Sequence, residues 1–211
     1  VLSEADLIQL QHLTNGTNIT ILSDEVFESI VFDNNTHQSI SKFEKLAARS
    51  YVVSSFGPVY NINGWGLAYI LAPERLMNEY RRIQQFQIYN VNTPLQYALS
   101  EYLQTEDSRK DNSEMYQGKR NYFNRLVSDS LFRVIPAQGS YFEILDYSAI
   151  SDEPDVDFTF RLANDYGIGV IPVSAFMHEK NKQKLLRICF AKNSETLEKA
   201  AEILRTVPFL K

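Results

Sequence analysis

The sequence predicts an α/β chain that passes into a small α+β unit, and three observations carry the prediction. Short apolar runs bounded by Gly or Pro alternate with helical patterns through the first half, the order that favours a sheet with mostly parallel pairing. From about residue 131 strand-like runs predominate, with two helical patterns set among them. The 211 residues, 44% hydrophobic and 12% aromatic, suffice for a sizeable core in one large domain or two small ones.

Ser3 followed by Asp6 resembles a capping box, and Leu7, Leu10 and Leu13 then line one helical face until the Asn15-Gly16 turn. A β-rich run covers Asn18 to Leu22 and ends at Ser23-Asp24-Glu25. Further apolar runs, Tyr51 to Phe56 and Leu67 to Leu71, are each too short for a helix. Pro73 opens a helical pattern through Leu76, Met77, Tyr80 and Ile83, and Thr93-Pro94 opens another to Leu103. A long polar helical stretch, 111 to 130, leads to strand-like runs at 133–135, 141–145, 168–172 and 185–190, with helices expected at 155–165 and 194–205. The expected domains are 1–107, a connecting helix over 108–130, and a small α+β domain over 131–211, with no internal repeat.

Lys and Arg number 21 against 26 Asp and Glu, a net charge of -5, which leaves no electrostatic footprint for nucleic acid. The single Cys189 excludes a disulfide framework within the chain and a cysteine-ligated zinc site, and a reducing cytoplasm is the expected location. No apolar run approaches the length of a membrane helix. The Asn-x-Thr sequons at Asn15, Asn18 and Asn34 read as chance in an Asn-rich chain. The chain opens at Val1, two residues before a helix start, which leaves room for a longer polypeptide upstream.

Asp24 lies just past the end of an expected strand, where ligands sit in open α/β sheets; the competing reading is a loop carboxylate capping the next segment. Ser54 and Ser55, before Gly57, can offer hydroxyls and N–H groups to a phosphate or belong to an ordinary turn. Arg187 interrupts the apolar run 185–190, as a carboxylate clamp or a structural ion pair would. His12, His37 and His178 show no metal spacing, so no metal is expected and the histidines read as solvated. The acidic run 152–157 lacks the pattern of a calcium loop and reads as a helix start, and Tyr166-Gly167 reads as a turn.

In order along the chain stand Ser23-Asp24-Glu25-Val26-Phe27, Ser54-Ser55-Phe56-Gly57, Gly64-Trp65, Leu71-Ala72-Pro73, Asn92-Thr93-Pro94-Leu95-Gln96, Gly139-Ser140-Tyr141-Phe142 and Leu186-Arg187-Ile188-Cys189-Phe190-Ala191-Lys192. Together they resemble the class I/II, fold-type I aminotransferases that use pyridoxal 5′-phosphate (PLP), especially the branch acting on methionine, glutamine, kynurenine and aromatic amino acids. The likeness implies the later half of a PLP-binding large domain over 1–107, followed by the C-terminal small domain. It assigns Asp24 to the pyridine nitrogen, Ser55 to the cofactor phosphate, and Arg187 to the α-carboxylate of an amino acid or 2-oxo acid.

The same resemblance marks departures. Pro58 stands where the family has its Schiff-base lysine, Gly66 where a cation meets the phosphate, and Phe27 where a tyrosine bonds the cofactor. No Lys occurs between Lys45 and Lys110. Nothing in this chain corresponds to the family's first half, so a homodimer or pairing with that half is expected. Two readings follow: an aminotransferase-like chain inactive in this form, or a non-catalytic module that uses the scaffold to bind a partner or an amino or keto acid.

Overall fold

The computed structural model describes residues 1–105, 109–178 and 183–210. The expected boundary at 107/108 lies outside the described residues. The chain divides into two compact units, Val1–Ser113 and Glu114–Lys211, with the division inside a long helix.

The first unit opens with α1 (Glu4–Thr14), whose start is the anticipated capping box. Ser3 Oγ accepts from the Asp6 N–H at 3.2 Å and Asp6 Oδ2 accepts from the Ser3 N–H at 2.8 Å, so two donors that a helix start leaves unpaired are satisfied. Then follow β1 (Ile21–Asp24), α2 (Glu44–Ala47), β2 (Ser50–Ser55), α3 (Phe56–Tyr60) and β3 (Ala68–Leu71). Leu7 of α1, Leu46 of α2, Val52 of β2 and Ile40 between them form a buried cluster, so the helix and the sheet share one core.

Helices α4 (Glu74–Gln87), α5 (Thr93–Thr105) and α6 (Arg109–Leu126) follow. Pro73 caps α4 from outside, where its missing N–H costs no helical bond. The start of α6 is tied to the first unit. Ser113 Oγ donates to the Val31 carbonyl at 2.6 Å, and the Asn112 amide bonds the Val59 carbonyl.

Two expectations change. Strand β1 runs 21–24 instead of 18–22 because pairing begins where its neighbour begins: Ile21 registers with Ser50, and the Ile21 N–H donates to the Arg49 carbonyl at 3.0 Å. Asp24 is therefore the last strand residue. The sheet order is β1-β2-β3, with β1 and β2 parallel but β2 and β3 antiparallel. Mostly parallel pairing does not hold within these described strands, although the α/β class stands. Residues 56–67 hold one short helix and a tight turn, too little to carry the chain back for a parallel strand.

The second unit carries a sheet of order β4-β5-β7-β6 built from β4 (Arg133–Ile135), β5 (Phe142–Asp146), β6 (Ile171–Pro172) and β7 (Leu185–Cys189), with α7 (Asp155–Tyr166) and α8 (Ser194–Thr206). All its described pairings are antiparallel. Alternation along the central strands separates two faces. Leu145, Leu186 and Ile188 are buried in a core that also holds Phe158, Leu162, Leu197, Ala201 and Leu204 of the helices. Phe142, Ile144, Arg187 and Cys189 take the other face and are only half-buried. The acidic run is a helix start, as read: Asp155 opens α7 after Pro154, and its carboxylate accepts from the Ser174 N–H and hydroxyl at 2.8 and 2.7 Å. Gly167 ends α7 in the left-handed conformation that a glycine adopts without a Cβ clash.

Candidate functional site

The parallel register places Asp24 opposite Val53, so the carboxyl ends of β1 and β2 lie side by side with Ser54 and Ser55 beyond. Asp24 is exposed, and its Oδ1 accepts from the Val26 N–H at 3.2 Å, the local capping contact that competed with a ligand role. Its Oδ2 has no hydrogen bond among the described residues. Ser54 is buried and faces inward, its hydroxyl within 3.2 Å of the Glu25 carbonyl and 3.1 Å of Glu28 Oε1.

Ser55 caps α3: its Oγ accepts from the Gly57 N–H at 3.1 Å and donates to the Leu67 carbonyl at 3.2 Å. The Ser55 proton is therefore spent on the backbone, and only a second lone pair remains.

Beside these ends is a cluster that sequence spacing did not reveal. Glu25, 6% exposed, accepts from the Ser23 hydroxyl at 2.9 Å and the Ile40 N–H at 3.0 Å through Oε1, and meets His37 Nε2 at 2.8 Å through Oε2. Burial pushes the Glu25 carboxyl up, but the bonds from His37, Ile40 and Ser23 outweigh it and hold the group at about 2. Glu28 Oε1 accepts from the Tyr69 hydroxyl at 2.7 Å, and burial together with Glu28 raises the Tyr69 phenol. His37 is thus a bonded member of a network instead of a solvated side chain, which corrects the reading of the histidines. The signal was hidden because the chain loops from 25 to 40 before closing on itself. Ligand atoms of Glu25, Glu28 and His37 lie within 4.8 Å of one another. Glu25 and His37 bond each other, while Glu28 Oε1 is engaged by the Ser54 and Tyr69 hydroxyls.

Pro58 is buried in the first turn of α3, where a helix has no intrahelical use for its N–H. Gly57 has no room for a side chain: a Cβ there meets Asn63 Oδ1 at 2.6 Å and Asn63 Cα at 3.1 Å. Gly66 ends the following 3-10 turn at φ +62°, and a Cβ there meets nothing within 4 Å. A long cation has space at Gly66, but the backbone has settled in a glycine conformation.

In the second unit, Arg187 registers with Ile144 on one side and Ile171 on the other. Among the described residues it has no carboxylate partner, which disfavours the plain structural ion pair. Its Cζ lies 4.1 Å from the Phe142 ring centroid and 4.5 Å from that of Phe176. Its Nε is buried without an acceptor, at a cost on the order of 1–3 kcal/mol, which two cation–π contacts of roughly 0.5–2 kcal/mol each can offset.

These features define an α/β chain with a carboxylate and hydroxyls at its parallel strand ends and, in its second unit, an arginine between two aromatic rings with no carboxylate partner among the described residues. The chain belongs to the class I and II aminotransferases, whose family model matches residues 1–204. It is 37% identical over 206 residues to a methionine aminotransferase of Escherichia coli K12, covering 97% of this chain and 53% of that protein. It is 33% identical to kynurenine–oxoglutarate transaminase 3 of Mus musculus, over 87% of this chain and 45% of that one. The solved structure of an E. coli protein with methionine aminotransferase function superposes with a TM-score of 0.90 over 97% of this chain and 55% of its own. N-succinyldiaminopimelate aminotransferase of Mycobacterium tuberculosis superposes at 0.92, with 27% identity, over 98% and 54%. The chain spans about half the length of the relatives it matches.

PLP is the cofactor of this family. At the positions the resemblance points to, Pro58 has no amine, Gly66 has no side chain, and the Ser55 proton is engaged by the Leu67 carbonyl. No helix among the described residues is long and apolar enough to cross a membrane.

Proposed function

We propose that this chain is an aminotransferase-like scaffold that does not catalyse transamination in this form. In this reading residues 1–107 are its part of the cofactor domain, 131–211 are the small domain, and α6 lies in the segment that connects them. The family reaction transfers the amino group of an amino acid, such as methionine, glutamine, kynurenine or an aromatic, to a 2-oxo acid. Asp24 and Ser55 retain cofactor-facing chemistry, as partners of the ring nitrogen and the phosphate, and Arg187 retains the contact to the substrate carboxylate. Phe27 and Gly66 weaken the cofactor contacts.

The observation that carries this reading is that Pro58, which the resemblance aligns with the amine that covalent catalysis requires, is buried in α3. The test is site-resolved trapping. The chain is incubated with PLP, reduced with borohydride, and any pyridoxyl-lysine is mapped by peptide mass spectrometry. Scattered substoichiometric labelling is expected; one stoichiometric adduct with the visible band of a protonated aldimine would overturn the proposal.

A second reading, a non-catalytic module binding amino or keto acids, is favoured by Arg187, which has no acidic partner among the described residues. Either reading includes self-association or pairing with a first-half domain. On α4 and just beyond it, Ile83, Phe86 and Tyr89 are 59, 85 and 101% exposed, an apolar face that favours burial. The single half-buried Cys189 is consistent with a reducing cytoplasm.

A further inference from the structure

We infer that Phe142 and Phe176 are positioning residues that make Arg187 selective for planar carboxylates over tetrahedral oxyanions. The inference rests on the reading of Arg187 as the carboxylate contact and says how that contact discriminates. Phe142 registers with Cys189, two residues along β7 from Arg187 on the same face, so its ring reaches the guanidinium diagonally. Phe176 arrives from the 3-10 turn Val173–Phe176 that follows β6. With Cζ at 4.1 and 4.5 Å from the two ring centroids, aromatic carbon occupies space beside the guanidinium that an anion would otherwise take. The Nε edge is buried.

The remaining approach is in the guanidinium plane, to the two Nη groups. A carboxylate is flat and can accept two parallel N–H bonds in that plane. A sulfonate or phosphonate can present two oxygens in the same way, but its third oxygen must leave the plane and press on a ring. The rings thus act twice, by fixing the orientation of the guanidinium plane and by excluding the third oxygen.

The test compares 3-phenylpropanoate with 2-phenylethanesulfonate, which share charge sign and an aryl-ethyl tail. Binding to the whole chain is followed by calorimetry and by the Arg Nε–Hε resonances of 15N-labelled protein. The wild-type chain is expected to prefer the carboxylate at least tenfold. Phe142→Leu and Phe176→Leu should each cut that preference severalfold at unchanged melting temperature, while Phe142→Tyr and Phe176→Tyr, which keep the ring, should retain it. Equal affinities in the wild type, or an unchanged ratio in both Leu variants, would overturn the inference while leaving Arg187 as a contact. Arg187→Gln with undiminished carboxylate affinity, or no saturable binding by the wild type, would remove the reading of Arg187 itself. If the Leu variants do not fold, loss of the preference in either Tyr variant decides against the inference.

Discussion

His37 Nε2 stands 2.8 Å from Glu25 Oε2 across twelve residues of chain, and the pair locks the loop after β1 against the sheet. An ionised carboxylate only accepts, so Nε2 carries the proton of this bond. Glu25 is held at about 2 against an ordinary 4.5, so its stabilisation is complete above pH 4.5 and is lost as pH falls toward 2. The linkage amounts to about 3 kcal/mol. Urea midpoints measured between pH 6 and pH 2.5 should fall steeply in the acid limb, and Glu25→Gln should lower the neutral value and flatten that limb. A parallel pH profile in the variant would show that Glu25 is not the titrating group.

The stretch 57–66 is predicted to resist repair at one position. Pro58→Lys alone should give no measurable transamination of methionine or an aromatic amino acid, because Gly66 still offers no cation. Turnover by that single variant would place the whole loss on Pro58.

Adding Gly66→Arg should cost stability despite the open space, since a side chain at φ +62° carries roughly 1–2 kcal/mol of backbone strain. Thermal denaturation of the single Gly66→Arg variant measures this; an unchanged or higher midpoint would mean that the turn relaxes.

Neighbouring glycines should respond in opposite ways to alanine. Gly57→Ala drives a Cβ into Asn63 and is expected to destabilise by about 1–3 kcal/mol, whereas Gly64→Ala, with nothing within 4 Å, should stay within roughly 0.5 kcal/mol. Chemical denaturation of both variants decides; equal effects would contradict the packing.

Sedimentation velocity should show self-association at high concentration. Phe86→Glu, on a side chain 85% exposed, should shift the equilibrium toward monomer. A wild type that remains a compact monomer would count against burial of this face between copies.

Some of this protein was legible in one dimension. The capping box at Ser3 and Asp6, the proline start of α4, the carboxylate start of α7 and strand β7 all rest on contacts or periodicities a few residues long. The likeness to the aminotransferases was equally legible, because it is carried by ordered short motifs.

Tertiary structure decided what depends on pairing over distance. The first residue of β1 is set by where Ser50 begins its neighbour, and the antiparallel return of β3 is set by the short path from Ser55. Distant residues also gave each functional candidate its environment. Leu67 takes the Ser55 proton, His37 closes on Glu25, and the two phenylalanines flank Arg187. The reason is that hydrogen-bond partners and ring contacts are properties of position in space, and a linear spacing fixes them only within one turn of helix or one stretch of strand.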